Sequence, residues 1–262
     1  MTRRRWIADE FSSDRAALTG AHAAHLARTL RARVGQEFEV ACGDTVRRGA
    51  VTSVADDRVE FALGEEVQAG AIVPITLLLA IFKFDRMEWA IEKCTELNVT
   101  TIVPVIARRT EKHLAQAAKK RVERWRRIAR EASEQSRRTA PPEITAPVKL
   151  SDALELHAGH EKDLSSRLRS EVTSGGTCCL PEAALKVVLA ETERTVTLAV
   201  VLRANETPQS LTLAVGPEGG WTPEELQAFA SAKFIACSLG ETILRAETAA
   251  IAALAIARAE IE

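Results

Sequence analysis

The spacing of apolar residues changes at Pro74, and this change constrains the fold more than any other feature of the sequence. Ile75–Phe82 is a continuous apolar run without alternation, which is typical of a strand covered on both faces. An apolar stripe at helical spacing follows, formed by Met87, Ile91, Cys94 and Leu97. Thr101–Ile106 is again typical of a strand. Strands that alternate with helices predict an α/β layer with a mainly parallel sheet.

Further elements of this layer are predicted along the chain. We expect Asp85 to cap the first helix, with Glu88 three residues on. A long basic helix is predicted from Leu114 to Ser136, with an apolar face formed by Val122, Trp125, Ala129 and Ala132. Three more strands are predicted at Val196–Leu202, Leu211–Val215 and Phe234–Ser238. Helices are predicted from Pro223 to Ser231 and from about Glu247 to Glu260, and an exposed helix with a loop from His157 to Thr177.

Residues 35 to 73 have a different pattern. Gln36–Ala41, Gly49–Val54 and Arg58–Leu63 alternate apolar and polar residues, and turn residues separate them. These strands predict a small antiparallel barrel or sheet. We expect the boundary with the α/β layer to lie between Gly64 and Pro74.

Composition excludes several classes of protein. With 46% hydrophobic and 27% charged residues, the chain is neither a disordered tail nor an integral membrane protein. Its longest apolar runs fall well short of the roughly 20 residues that span a bilayer. Five cysteines without CxxC spacing predict neither a disulfide framework nor a zinc site. The amino terminus has no apolar targeting segment, so we expect a soluble, cytoplasmic protein. We expect no metal, because the five histidines have no convincing ligand partners in the sequence.

Charge is distributed unevenly, although the net charge is only −1. Residues 108–138 contain twelve Lys or Arg and four acidic residues, and residues 1–48 contain nine Arg and six acidic residues. Residues 217–262 instead contain three basic and seven acidic residues. The basic stretches suit a polyanion such as RNA, whereas a solvated helix face explains the same pattern without a ligand.

A glycine-rich segment, GPEGGW at residues 216–221, follows the predicted strand Leu211–Val215. It leads into a helix that Thr222 caps, with Pro223 in the first position and Glu225 closing a capping box. Glycines allow positive φ and a close approach of a ligand to the main chain. Ligands in open α/β sheets bind beyond the carboxyl ends of strands. The segment has neither GxGxxG spacing nor the Lys-Ser/Thr pair of a P-loop, and a purely structural turn is the alternative.

A second segment, SLGETILRAETAA at residues 238–250, begins where another predicted strand ends. Its apolar residues suit a flat ring: Leu239, Ile243 and Leu244. Arg245 and Glu247 carry opposite charges beside them. A surface pair between Arg245 and either Glu247 or Glu241 is the alternative. Two strand-end segments of this kind in one small sheet favour a ligand pocket.

Together these two segments resemble the signature of the SPOUT-class RNA methyltransferases. More closely, they are similar to the ribosomal RNA small-subunit methyltransferase E family, which methylates N3 of a uridine in 16S rRNA. The similarity continues through residues 83–89, 93–97, 102–104, 124–125 and 134–138, and through residues 25–31 and 34–35 nearer the amino terminus. It therefore extends, in order, over nearly the whole chain.

The resemblance implies an α/β fold in two domains. Residues 1–72 would form a PUA-like, RNA-binding β-barrel, and residues 73–262 a SPOUT methyltransferase domain with a C-terminal trefoil knot. S-adenosylmethionine would lie bent in the knot, held by the two segments. The family is homodimeric, and the implied partner is 16S rRNA in the small ribosomal subunit.

The resemblance also implies which residues form the site. Cofactor-binding residues would be Leu202, Ala214, Gly216, Gly219, Gly220, Leu239, Gly240, Ile243 and Leu244. We expect RNA to contact Arg3, Arg4, Arg5, Arg28, Arg31, Lys83 and Arg86. The catalytic residues would be Arg245 and Glu247.

The expected reaction is an in-line methyl transfer from a sulfonium to a ring nitrogen. A positive group beside uracil O2 or O4 would stabilise the anion that develops at N3, and Arg245 is the candidate. Glu218 or Glu247 would order Arg245 or accept a proton. Two alternatives stay open: another SPOUT enzyme, such as a tRNA ribose 2′-O-methyltransferase, and a non-catalytic RNA-binding assembly protein.

Overall fold

A computed structural model describes residues 5–43, 45–67, 73–136, 138–155, 184–205 and 207–261. The chain forms two compact units. The first unit consists of Met1–Ala71 and Ala129–Pro141, and the second unit of Ile72–Ile128 and Pro142–Glu262. The first unit thus includes a stretch from the middle of the chain, which the sequence did not indicate.

The first unit is built on a six-stranded sheet with the order β1-β4-β5-β6-β3-β2. Its strands are β1 (Arg5–Ile7), β2 (Glu10–Phe11), β3 (Arg15–Thr19), β4 (Glu37–Cys42), β5 (Thr45–Val54) and β6 (Arg58–Val67). Only the β1–β4 pair is parallel among these strands. The three strands predicted from alternation correspond to β4, β5 and β6. A short helix, α1 (Gly20–Ala24), continues into a π-helical turn, His25–Thr29.

The sheet of the first unit curls around one apolar core. Irregularities in the β5–β6 register fall between Arg47 and Gly49 and between Val51 and Ser53, and such bulges bend a strand. The largest buried side chains of this core are Trp6, Leu18, Leu26 and Phe61. A Cβ at Gly49 would lie 2.6 Å from Val40 Cγ2, so only glycine fits at that point of the sheet.

The second unit is built on a seven-stranded sheet in which every described strand pair is parallel. Its strands are β7 (Ile75–Ala80), β8 (Thr101–Ile106), β9 (Glu143–Ile144), β10 (Val148–Lys149), β11 (Leu185–Leu189), β12 (Leu211–Val215) and β13 (Ile235–Cys237). The order is β10-β8-β7-β12-β11-β13, with β9 also on β8. The predicted parallel α/β layer is confirmed.

Helices connect these strands. They are α2 (Phe84–Glu96), α3 (Lys112–Ala118), α4 (Val122–Gln135), α5 (Leu198–Ala204), α6 (Pro223–Ser231) and α7 (Ala246–Ile261). Residues 150–155 are also helical. The predicted stripe on α2 is confirmed at Met87, Ile91 and Cys94, which are fully buried. The predicted face of α4 is confirmed as well, because Val122, Trp125, Ala129 and Ala132 are all buried.

One predicted strand is wrong. Val196–Leu202 enters helix α5 at Leu198, and the Thr197 side chain caps that helix by accepting a hydrogen bond from the backbone N–H of Val200 at 3.4 Å. Short apolar runs fit a buried helix as well as a strand. The strand between β12 and β13 is instead β11 (Leu185–Leu189), and Lys186 interrupts its apolar run.

Two details of the predicted helices are also wrong. Lys83, not Asp85, occupies the N-cap of α2, and Asp85 lies in the first turn. Glu88 pairs instead with Arg124, at 2.7 Å. The helix predicted from Leu114 to Ser136 is divided into α3 and α4 by a tight 3₁₀ turn, Lys119–Arg121.

The described ranges contain no helix that combines the length and apolar character needed to cross a membrane. In these ranges no three His, Cys, Asp or Glu side chains lie together as metal ligands would. The helix and loop predicted from His157 to Thr177 lie outside the described residues.

Arg258 on α7 joins three parts of the second unit. Its side chain is buried and donates hydrogen bonds to the carbonyl oxygens of Val73 (2.9 Å), Leu97 (3.3 Å) and Asn98. Leu97 and Asn98 follow the last residue of α2, where helix carbonyls have no partner within the helix. Arg258 therefore joins the carboxyl end of α2 to the segment that leads into β7.

Replacing Arg258 with methionine should lower the free energy of unfolding by about 2–3 kcal/mol, because the carbonyl oxygens of three half-buried residues lose a charged donor. Urea unfolding followed by circular dichroism measures this loss. Arg203→Met is the matched control, since Arg203 is exposed and pairs with Glu260 at 2.8 Å. That control should unfold near the wild-type urea concentration. Equal midpoints for the two variants would contradict the role given to Arg258.

Candidate active site

Two loops leave the parallel sheet at the carboxyl ends of its strands. Residues 216–222, the glycine-rich loop, follow β12, and residues 239–245, the second loop, follow β13. Strand β11 lies between β12 and β13. Because adjacent strands are about 4.8 Å apart, the loops begin about 10 Å from each other. The prediction that both segments follow strand ends in one sheet is confirmed.

Local packing shapes the glycine-rich loop. The N–H of Gly220 donates to the carbonyl oxygen of Pro217 at 2.8 Å, and Gly220 has a φ of +69°, which favours glycine. A Cβ at Gly216 would lie 3.2 Å from the indole Nε1 of Trp221. Trp221 is buried and packs on Phe229 with ring centroids 4.9 Å apart. Glycine at 216 and 220 thus has a structural cause as well as a possible functional one.

Glu225 ties this loop to the loop after β8. The predicted capping box is confirmed: Thr222 Oγ1 accepts from the N–H of Glu225 at 3.3 Å, and Glu225 Oε2 accepts from the N–H of Thr222 at 2.9 Å. Glu225 Oε1 also accepts from the N–H of Arg108 at 2.8 Å. Glu225 is only 5% exposed. The sequence indicated the capping box but not the bond to Arg108, which lies 117 residues away.

Arg109 contacts the glycine-rich loop directly. Its Nη1 donates to the carbonyl oxygen of Gly219. A Cβ at position 219 would lie 3.3 Å from Arg109 Cδ, so the side chain runs close over this glycine. Sequence reasoning missed Arg109, and its position just after the strand β8 was the one available signal.

The second loop leaves its backbone open. Residues 239–244 make no backbone hydrogen bond to another described residue. Gly240 has a φ of +128°, and a Cβ there would have no described atom within 4 Å. The Ile243 side chain is 77% exposed. Residues 240–243 are exposed, so their backbone N–H and C=O groups are accessible and free of competing backbone partners among the described residues. Such groups can form hydrogen bonds with a ligand.

A chain of charges links the glycine-rich loop to the start of α7. Arg86 Nη1 donates to Glu218 Oε1 of the glycine-rich loop at 2.8 Å, and Arg86 Nε lies 3.7 Å from Glu247 Oε1. Glu247 lies in the first turn of α7 and is 5% exposed, and its Oε2 has no partner among the described residues. Arg86, expected to contact RNA, therefore already has two carboxylate partners.

Other expected site residues have varied surroundings. Arg245 is exposed and forms no ion pair with a described acid, so neither Glu247 nor Glu241 is its partner. Leu202 and Ala214 are buried, and Lys83 is exposed. Two of the expected RNA contacts are paired with carboxylates: Arg5 with Glu39 at 3.1 Å and Arg28 with Asp56 at 2.8 Å. Arg31 is exposed and has a φ of +52°. Arg3 and Arg4 lie outside the described residues.

The described cysteines are not nucleophiles. Burial raises the pKa of the Cys237 thiol to about 12, with a smaller contribution from Glu193. Burial also raises the pKa of Cys94 and of Cys42. A thiol with a raised pKa stays protonated at neutral pH and is a poor nucleophile.

Known proteins are similar to this chain in sequence and in fold. A sequence model for the RNA methyltransferase domain matches residues 70–258. A ribosomal RNA small subunit methyltransferase E of Synechocystis sp. is 32% identical over 246 residues, which cover 94% of this chain and 73% of the relative. The chain belongs to the ribosomal RNA small subunit methyltransferase E family.

Other members of this family support the assignment. The Bacillus subtilis member is 27% identical over 245 residues, covering 90% of this chain and 87% of the relative. A crystal structure of the Neisseria gonorrhoeae member bound to S-adenosyl methionine superposes with a TM-score of 0.76 at 28% identity, covering 97% of this chain and 95% of that chain. The mixed α/β architecture is thus shared over nearly the full length.

Glu225→Gln should destabilise the protein by about 1–3 kcal/mol, because the amide presents a donor to one of two backbone N–H groups. Urea unfolding measures the change. Glu241→Gln is a matched control on the second loop, since Glu241 is exposed. We expect the control to keep the wild-type midpoint. If both variants unfold at the same urea concentration, the carboxylate of Glu225 does not hold the glycine-rich loop to the residues after β8.

Proposed function

We propose that this protein transfers a methyl group from S-adenosylmethionine to N3 of a specific uridine in 16S ribosomal RNA of the small ribosomal subunit. Membership of the methyltransferase E family carries the proposal. The Neisseria gonorrhoeae relative binds S-adenosyl methionine, and we extend that cofactor to this chain.

The open second loop supports this choice of cofactor. Adenosyl groups bind between apolar side chains and form hydrogen bonds with backbone N–H and C=O groups. The adenine ring would contact Leu239, Ile243 and Leu244. The backbone of residues 239–244 makes no backbone hydrogen bond to another described residue. Gly216, Gly219, Gly220 and Gly240 would allow close approach of the ligand to the main chain. Leu202 and Ala214, which are buried, would support it from the core.

The family also suggests a finer architecture. We infer that residues 1–72 form a PUA-like RNA-binding barrel, which the curled sheet of the first unit supports. We infer a SPOUT domain over residues 73–262, with a trefoil knot near the carboxyl end and a homodimer as the working assembly. We also infer a cytoplasmic location, because ribosomal RNA is the proposed substrate.

S-adenosylmethionine supplies an electrophilic methyl group on a sulfonium sulfur. Uracil N3 attacks well only after its proton leaves, and we assign Glu247 as the proton acceptor. Its buried carboxylate has one oxygen, Oε1, near Arg86, and the other, Oε2, without a described partner. Arg245 would donate to the uracil oxygen on which negative charge develops. Its exposure and its lack of an ion pair with a described acid leave it available for this contact.

Methyl transfer from labelled S-adenosylmethionine tests the proposal. Small ribosomal subunits that lack the methyl group and, separately, tRNA are the two substrates. We expect label in the RNA of the small subunit and none in tRNA. Label in tRNA would overturn the substrate. Cofactor binding without label in either RNA would favour a non-catalytic assembly protein.

Substitutions test the two catalytic assignments. Arg245→Ala should lower kcat about 10²- to 10³-fold, because the developing charge loses its donor, and Arg245→Lys should recover part of the loss. Glu247→Gln should lower kcat at least about 10²-fold. Calorimetric affinity for S-adenosylmethionine should stay near wild type in all three. The exposed Glu241→Gln is the control and should keep full turnover. Near-full turnover of Arg245→Ala would show that another residue stabilises the charge.

A further inference from the structure

Positive side chains follow β7, which pairs with β12, and β8, the next strand in the sheet order. Lys83 and Arg86 come after β7, and Arg108 and Arg109 come after β8, which pairs with β7. These residues share the sheet edge from which the glycine-rich loop leaves, because all these strands are parallel. Arg86 is neutralised by Glu218 and Glu247. Lys83, Arg108 and Arg109 are exposed, and none of them pairs with a described acid.

Arg109 is held in one position. Its Nη1 donates to the carbonyl oxygen of Gly219, and the absence of a side chain at 219 lets its Cδ pass over the loop. A guanidinium has five N–H donors in a planar fork. One donor is used here, and the remaining donors have no described protein partner. A fixed and exposed fork is suited to bidentate binding of an oxyanion.

Arg108 lies on an equally fixed backbone. Its N–H is bound by the buried carboxylate of Glu225, at 2.8 Å. The field of both arginines reaches the start of α6: the pKa of Glu224 is lowered chiefly by a hydrogen bond with Thr222, with added contributions from Arg108 and Arg109. Two adjacent cations thus follow β8, one tied through its backbone to Glu225 and the other in contact with Gly219.

We propose that Arg108 and Arg109 bind backbone phosphates of the RNA strand next to the nucleotide that is methylated, with Lys83 as a third cation. The inference rests on the proposed function, because it requires an RNA substrate. Phosphate oxygens match the guanidinium fork, and such contacts position RNA without reading its sequence. The pair thereby fixes the strand so that one base can leave its stack and reach the site.

Binding of small ribosomal subunits lacking the methyl group, measured across a series of salt concentrations, tests the inference. Arg109→Ala should weaken binding about tenfold and make the slope of log K against log salt shallower by about 1. Arg109→Lys should keep the slope, because the charge remains, but not the full affinity. Arg108→Ala, as a second variant, should act in the same direction as Arg109→Ala.

Lys233→Asn is the matched control. Lys233 precedes β13 and so lies at the opposite edge of the sheet, and its φ of +64° suits asparagine. This variant should leave both affinity and slope unchanged. The affinity for S-adenosylmethionine, measured in parallel, should equal that of the wild-type protein in every variant. An unchanged affinity shows that the site is folded.

The outcomes separate the two proposals. If wild-type protein methylates the small subunit but Arg109→Ala and Arg108→Ala keep wild-type affinity and slope, the phosphate contact is wrong and the proposed function stands. If Arg109→Ala weakens only the affinity for S-adenosylmethionine, the fork binds the carboxylate of the cofactor instead, and the inference is again overturned. If wild-type protein neither binds nor methylates the subunit, the proposed function itself fails.

Discussion

The buried carboxylate of Glu225 joins the glycine-rich loop to the residues that follow β8. One oxygen completes the capping box of α6, and the other binds the backbone of Arg108 after β8. A buried carboxylate is costly unless its oxygens accept hydrogen bonds, so the arrangement is stable only with both loops in place. Hydrogen bonds of Glu225 and Arg109 therefore join the glycine-rich loop, the arginine pair and the start of α6.

Much of the fold follows from local patterns in the sequence. Strands β7, β8 and β12 were predicted because a strand buried on both faces has a continuous apolar run, and α6 because its capping residues are local. The error at Val196–Leu202 has a physical cause, since β-branched residues favour a strand while the Thr197 cap and tertiary packing favour a helix. Strand β11 was missed because Lys186 interrupts its apolar run.

The candidate site was predictable only in part. The sequence indicated both loops, because glycines and strand ends are visible locally. It did not indicate their partners, because Arg86 and Glu218 are 132 residues apart and Arg109 and Gly219 are 110 residues apart. The pairing of Glu247 with Arg86 rather than with Arg245 depends on the same long-range packing. Contacts of this kind arise from the order of strands in the sheet, which no local pattern encodes.

The identity of the methylated nucleoside tests the central claim most directly. After reaction with labelled S-adenosylmethionine, small-subunit RNA would be digested to nucleosides and separated beside an authentic N3-methyluridine standard. The account predicts that the label elutes with N3-methyluridine. Label in a ribose-methylated nucleoside, or in any base other than uracil, would contradict it.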